Sequence, residues 1–288
     1  MDRTALTSSA PAAASPSLTV FSVANLNYEP FVVPYIASVL THNSNAIAEV
    51  GVIDAEAYFA RHGKAMKFLA ERFPRERWKV RTADFGKTSP NALRFLEQPT
   101  LQSDYVYIGD IDILVLEEIA PFHMAEMAAT GLPYSNMRRR REELLTGLHF
   151  SRWDAMYPHA ALPEGTIIRS DEQLICSLMV AKGFALPPME RRIRPLHGFH
   201  LSPNRSPTAL AWGLGRPELV DSYVQFRRGE MWRNLVPLLH PRYRVLLLLL
   251  DTALAADNPE TAAEGAFVTG AGLRDIWRDL CAPRGASN

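Results

Sequence analysis

The chain has 288 residues, 47% hydrophobic and 22% charged, with 31 basic and 31 acidic side chains that cancel. That composition excludes disordered, collagen-like and coiled-coil classes, and a net charge of zero removes the global field that would steer the protein onto nucleic acid. At about 100–200 residues per domain, the length fits one large domain, or one with an annex.

Met1 to Ser17 is rich in Ser, Ala and Pro, lacks an apolar signal-peptide core, and is expected to be a disordered tail. LTVFSVAN, from Leu18, reads as a buried strand, followed by a turn at Asn25 to Tyr28 and a helix through PFVVPYIASVLTHN. AIAEVGVID is a second strand, and EAYFARHGKAMKFLAERF a helix whose apolar residues recur at three- and four-residue spacing. WKVRTADF is a third strand, and TSPNALRFLEQPTL a helix with Ser89 as N-cap and Pro90 in its first turn. DYVYIGDIDILVL is a fourth strand. Strands alternating with helices predict an α/β fold, Rossmann-like, with a mostly parallel sheet and ligands at the carboxyl ends of its strands.

Farther on, Met124 to Thr130 is helical, TGLHFSRWDAMY suggests another strand, and SDEQLICSLMVAKG is a helix with Ser170 as N-cap and Gly183 at its end. From Ser206 onward, Arg, Leu and Trp dominate without strand alternation, so the expected organisation is a tail over 1–17, a catalytic domain over 18–205 and a helical C-terminal annex over 206–288. The longest apolar run, Val245 to Leu250, is far short of the ~20 residues of a membrane span. Two distant cysteines, Cys176 and Cys281, form no Cys-x-x-Cys pair and point to a reducing, cytoplasmic setting. Arg227, Arg228, Trp232 and Arg233 could touch the inner face of a membrane peripherally, although packing on the catalytic domain is the simpler role.

Two segments carry chemistry. In YVYIGDIDILVL, Asp110 and Asp112 stand at i and i+2, which on a strand places both carboxylates on one side. Such a pair is costly near a core unless a hard cation compensates it; the alternative is a strand end facing solvent. In RPLHGFHLSPNR, read as a loop, His197 or His200 could complete an oxygen-rich site suited to Mn²⁺ (or Mg²⁺). Gly198 would let backbone N–H groups approach a phosphate, and Arg194 and Arg205 supply forked cations. The run RRRREE, Arg138 to Glu143, reads as a self-compensated charged loop or a contact for an anionic acceptor, and His149, Trp153 and Tyr157 as core or acceptor pocket.

Taken in order, these segments resemble the family 8 glycosyltransferases of the GT-A fold, the glycogenin and bacterial lipopolysaccharide sugar transferase type. VANLNYEPFVVPYIASVLTHN is similar to that family's nucleotide-binding loop, which implies base and ribose contacts for Ala24, Asn25, Asn27 and Tyr28. ALRFLEQPTLQSDYVYIGDID is similar to its Arg-bearing helix and Asp-x-Asp strand, so Arg94 inherits a donor contact. SDEQLIC looks like its acidic helix start and points to Asp171 and Glu172 as catalytic groups, while Leu145-Thr146-Gly147 replaces an Asn-Ala-Gly donor loop and implies a role for Gly147. HGFHLSPNR replaces a closing His-x-x-Gly-x-x-Lys segment, with Arg205 in place of Lys. The resemblance implies a metal-dependent, retaining transfer of a hexose from a nucleotide-sugar donor, a UDP-sugar, to a glycan or glycolipid hydroxyl, with polysaccharide biosynthesis as the setting. Two other classes remain open on the residues: an Asp-nucleophile phosphohydrolase, and a non-catalytic sugar-nucleotide or glycan-binding protein.

Overall fold

The computed structural model describes residues 17–86, 88–139, 144–162, 164, 168–190, 196–201 and 216–257. Its main sheet has the order β3-β2-β1-β4-β7-β6, built from β1 (Leu18–Ala24), β2 (Ala46–Val52), β3 (Trp78–Thr82), β4 (Tyr105–Ile108), β6 (Tyr134–Ser135) and β7 (His149–Arg152). The β3-β2-β1-β4 portion is parallel, and β7 and β6 add on antiparallel. This is the expected α/β architecture, a mostly parallel sheet flanked by helices. β1 is buried along its whole length, as a central parallel strand covered on both faces must be.

Alternation along β1 and β4 divides the core in two. Val20 and Tyr107 join one apolar cluster with α1 (Val32–His42), while Phe21, Val106 and Ile108 join another with α3 (Pro90–Leu96) and α6 (Asp171–Ala181). The remaining helices are α2 (Ala55–Arg72), α4 (Ala120–Thr130), α5 (Trp153–Met156), α7 (Pro217–Arg228), α8 (Glu230–Leu235) and α9 (Pro241–Asp257). Ser89 and Ser170 cap α3 and α6 as expected, accepting from the amides of Ala92 and Gln173, and Gly183 follows α6 at φ +81°. Asp54 does the same for α2.

α7 to α9 complete the α1-side core: Phe226 lies 5.1 Å from the His42 ring, and Tyr243 meets Phe31 edge-on at 5.3 Å. The rest of 206–288, outside 216–257, falls outside the described residues, as does the tail up to residue 16. Ser17, expected in that tail, is instead anchored, its amide and hydroxyl both donating to Asp104 at 2.8 Å. No described helix is long and apolar enough to cross a membrane.

Two local expectations are corrected. The single strand over DYVYIGDIDILVL is two strands in two sheets: the chain leaves the main sheet at Gly109, and β5 (Ile113–Val115) pairs antiparallel with β8 (Gly198–His200). The break has three local causes. The Ser22 hydroxyl donates to the Gly109 carbonyl at 2.9 Å, the Ile113 amide turns back onto the Asp110 carbonyl at 3.3 Å, and a Cβ at residue 109 would lie 2.6 Å from the Tyr107 ring. The second correction is that part of RPLHGFHLSPNR, read as a loop, is strand β8.

The frame is held at the β2–β3 edge by Glu49. Its side chain is fully buried, takes Arg81 Nε at 2.7 Å, and accepts the amides of Thr100 (2.9 Å) and Leu101 (3.0 Å). Removing one partner of a buried, hydrogen-bonded ion pair costs about 3–5 kcal/mol. Glu49→Ala is therefore expected to lower the urea-unfolding free energy by that amount; a loss under about 1 kcal/mol would contradict this role.

Candidate metal and donor site

Strand order reverses between β1 and β4, neighbouring parallel strands whose carboxyl ends lie on one side of the sheet, the position where open α/β sheets bind ligands. The turn after β4 carries Asp110 and Asp112, and the register Ile113↔His200 sets the end of β8 beside it. His200 Nε2 lies 2.9 Å from Asp112 Oδ1 and 3.8 Å from Asp110 Oδ2. One ligand atom from each of the three falls within 4.8 Å of the others, spacing suited to a divalent cation at bonds of about 2.0–2.6 Å. Asp110 and Asp112 thus converge as expected, through a turn rather than through strand alternation.

Of the two candidate histidines, only His200 joins them. His197 is committed elsewhere: Nδ1 is 2.9 Å from Glu117 Oε1, and Nε2 is 2.9 Å from His123 Nε2. Its expectation as a metal ligand is corrected on that ground, since both ring nitrogens are engaged away from the carboxylates. Neutral imidazoles make the chain directional: the Ser135 hydroxyl donates to His123 Nδ1 (2.8 Å), His123 to His197, and His197 to Glu117, which also takes Arg216 at 2.9 Å.

Arg94 is the buried cation of the site. One arm pairs with Asp110, and Nη2 reaches Asp171 Oδ2 at 3.0 Å. Burial opposes its charge, but Asp110 and Asp171 outweigh burial, and its pKa is raised. Arg94 thereby joins the Asp-x-Asp turn to the start of α6, bringing Asp171 to the metal group. Glu172 follows, paired with Arg139; burial pushes its carboxyl above the usual range against that arginine's pull. Arg139 belongs to the arginine run read as a solvated loop, and its partner on α6 is distant in sequence.

Gly147 lies against this pair: a Cβ there would meet Arg94 Nη2 at 2.7 Å and Asp171 Oδ2 at 3.0 Å. Gly198 has a different reason to be glycine, because a Cβ there would sit 1.8 Å from the Leu114 carbonyl oxygen across the β5–β8 pairing. Ala24 ends β1, and the Asn25 carbonyl accepts the amides of Tyr28 (2.9 Å) and Glu29 (3.0 Å), so the predicted nucleotide loop is a hydrogen-bonded turn on the same sheet edge. The Asn25 side chain closes that turn on the Asn27 amide at 3.1 Å, and the Tyr28 ring is 5.6 Å from Phe31. Arg205 and Arg194 lie outside the described residues. His149, Trp153 and Tyr157 are buried in the sheet and α5. Composition gave no signal for Tyr35, whose buried hydroxyl has no partner among the described residues, nor for Tyr243, whose phenol is pushed up by burial and by Asp112.

No protein-family model matches the chain, and no curated protein does. Among solved structures, it is similar to the glycosyltransferase GlyE of Streptococcus pneumoniae TIGR4, at 12% identity and a TM-score of 0.38, over 56% of this chain and 42% of that one. It is also similar to the mannosyltransferase PcManGT of Pyrobaculum calidifontis, solved with GDP-Man and Mn²⁺, at 15% identity and a TM-score of 0.42, over 94% of this chain and 82% of that one. The chain therefore spans less than half the length of GlyE.

Two predictions follow from this geometry. Gly198→Ala forces β8 off β5 and is expected to weaken Mn²⁺ binding at least tenfold, read by titration of the ion; unchanged affinity would show that the β5–β8 pairing does not place His200. The second concerns acid. Burial lowers the pKa of His123 and His197 and takes His149 to about 3, against 6.5 unfolded. The unfolded chain thus binds protons first, so stability falls as pH drops below about 6.5. His149 alone accounts for about 3 kcal/mol of that loss by pH 4.5, from ~1.4 kcal/mol per pKa unit. Urea unfolding from pH 7.5 to 4.5 should show this slope, and His149→Gln should flatten it by about one proton.

Proposed function

We propose that this chain is a divalent-cation-dependent glycosyltransferase that moves a hexose from a UDP-sugar to a hydroxyl of a glycan or glycolipid. The observation that carries the reading is the convergence of Asp110, Asp112 and His200 at the switch point, with Asp171 tied to the same group through Arg94. Asp110, Asp112 and His200 would hold the cation, and a nitrogen in an oxygen-rich set favours Mn²⁺ over Mg²⁺. When bound, the ion supplies positive charge to a diphosphate leaving group.

The chain's own residues supply the rest. The 25–28 turn receives base and ribose, with Asn25, Asn27 and Tyr28 as its polar and aromatic groups. Asp171, fixed by Arg94 at the start of α6, stabilises positive charge growing at the sugar carbon, which is oxocarbenium-like as in glycoside hydrolysis. Glu172 stands beside it, and Gly147, without a Cβ, lets Arg94 and Asp171 lie against the 145–147 backbone. Retention of anomeric configuration and a cytoplasmic setting belong to the same proposal, as does a catalytic unit over 18–205; Trp232 is buried in the core and Arg227 is paired with Asp251, so these two residues pack rather than meet a membrane. The Arg94 partnership disfavours Asp110 as a free nucleophile, which weighs against the phosphohydrolase alternative.

The test uses the full chain with UDP-, GDP-, ADP- and CMP-sugars, with Mn²⁺ or with chelator. Metal-dependent release of UDP from a UDP-hexose is expected, reduced at least 100-fold by Asp112→Ala and by His200→Ala, while both variants keep their fold by circular dichroism. Phosphate release from an aryl phosphate would favour the phosphohydrolase. A donor bound with Mn²⁺ yet never cleaved would leave a binding protein.

A further inference from the structure

Beside the groups used above, Asn136 lies just past β6 and is almost wholly buried, yet its amide is saturated. Oδ1 accepts the Met137 amide (2.6 Å), the Thr146 amide (3.0 Å) and the Thr146 hydroxyl (2.7 Å). Nδ2 donates to the Thr146 carbonyl (3.1 Å) and to His149 Nδ1 (3.2 Å). Three donors on one side and two acceptors on the other fix the amide's orientation. They also fix His149 as the tautomer protonated on Nε2, a nitrogen with no partner among the described residues. Four of the five bonds of Asn136 converge on Thr146 and His149, from a residue ten positions before Thr146.

Thr146 is followed by Gly147, the residue with no room for a Cβ beside Arg94 Nη2 and Asp171 Oδ2. The Leu145 amide, on the other side of Thr146, donates to the Glu172 carbonyl in the first turn of α6 at 3.3 Å. The 145–147 backbone is thus pressed against the start of α6 from one side and gripped by Asn136 from the other. A polar side chain that makes its full set of bonds inside a core specifies one arrangement of the segments it joins. Here the segment so specified is the wall against which the Arg94 guanidinium rests, and that guanidinium joins Asp110 to Asp171.

We propose that Asn136 is a positioning residue for the transfer reaction: its buried amide clamps Thr146–Gly147 against Arg94 and Asp171, and so sets where Asp171 stands relative to the Asp-x-Asp turn. This assignment rests on the glycosyltransferase reading. Its effect falls on the chemical step, because displacement of a reacting group by about 1 Å costs on the order of 100-fold in rate.

The experiment compares Asn136→Asp, which keeps every acceptor and loses both N–H donors, with Thr146→Val, Gly147→Ala and the Asn136→Asp/Gly147→Ala double variant, all as full chains. Melting temperature, kcat and donor KM are measured in the presence of Mn²⁺. Asn136→Asp and Gly147→Ala are each expected to lower kcat about 10- to 100-fold with donor KM within about threefold, and Thr146→Val to lower it several-fold. The double variant is expected to be no slower than the worse single one, since both act through the same wall. A merely structural asparagine would lower the melting temperature, leave the kcat of the folded enzyme unchanged and combine additively with Gly147→Ala; that result overturns the proposal. If Asn136→Asp does not fold, Thr146→Val decides, and full kcat in that variant overturns it. A parent chain that releases no nucleoside diphosphate from any donor overturns the glycosyltransferase reading together with this assignment, whereas an active parent with fully active variants overturns this assignment alone.

Discussion

One apolar segment, residues 105–115, serves two sheets, and the site exists because of the place where it changes from one to the other. β4 lies next to β1 in the main sheet, and β5 pairs with β8 in the small one. Of the four residues between, Gly109 still donates to the Phe21 carbonyl of β1 at 3.2 Å and the Asp112 carbonyl accepts the Leu201 amide just past β8 at 2.7 Å, so the remaining polar groups must be satisfied locally or by a ligand. Ser22 takes the Gly109 carbonyl and a tight turn takes that of Asp110, which leaves two carboxylates side by side at the mouth of the switch point. The same departure carries β5 over α1, where the Ser38 hydroxyl accepts the Val115 amide at 3.1 Å. β8 comes with β5 and delivers His200. Fold and candidate chemistry therefore depend on a single interruption of one strand.

Charge balance is the second constraint. Asp110, Asp112, Asp171 and Glu172 crowd one region, and like charges this close repel unless cations intervene. Arg94 and Arg139 are the cations the described chain provides, each spent on the start of α6, while Asp112 lies deeper and faces His200. Because one arm of Arg94 also holds Asp110, a divalent ion would share that carboxylate with a resident guanidinium rather than meet a bare anionic pair. The other arm of Arg94 fixes Asp171 at the start of α6 at 3.0 Å.

Much of this was legible in the sequence. Continuous apolar runs between capped helices gave β1 to β3 and the parallel order, because buried parallel strands and N-caps depend on local residue choice. The break at Gly109 was not legible: both halves of YVYIGDIDILVL are buried, so its hydrophobicity pattern does not differ from that of one long strand. Nor was β8, whose three residues are too few to show a period. The choice between His197 and His200 illustrates the same point. Both flank Gly-Phe within one short segment, and only the antiparallel register with β5 separates them, placing His200 opposite Ile113 beside Asp112. His197 falls before Gly198, where its carbonyl accepts the Leu116 amide at 2.8 Å and its ring meets His123. Topology rather than residue type brings His200, and not His197, to the two carboxylates.

The C-terminal helices bear on the site through packing. Phe31 ends the short helical turn that follows the 25–28 loop, and its ring is met edge-on by Tyr243 of α9, while Glu29 in that same turn is tied to Arg61 of α2 by two hydrogen bonds, at 2.6 and 3.0 Å. The loop is thus fixed from two sides by elements that take no part in the sheet. On the β8 side, Phe199 points into the same core and meets Tyr223 of α7 edge-on at 5.7 Å, so the strand carrying His200 is braced by the C-terminal helices as well. Helices that look like an appendage in sequence hold both the 25–28 loop and the histidine-bearing strand against α1. The spacing between that loop and the Asp-x-Asp turn is therefore a property of the whole core, and a change in the packing of α7 or α9 would reach both.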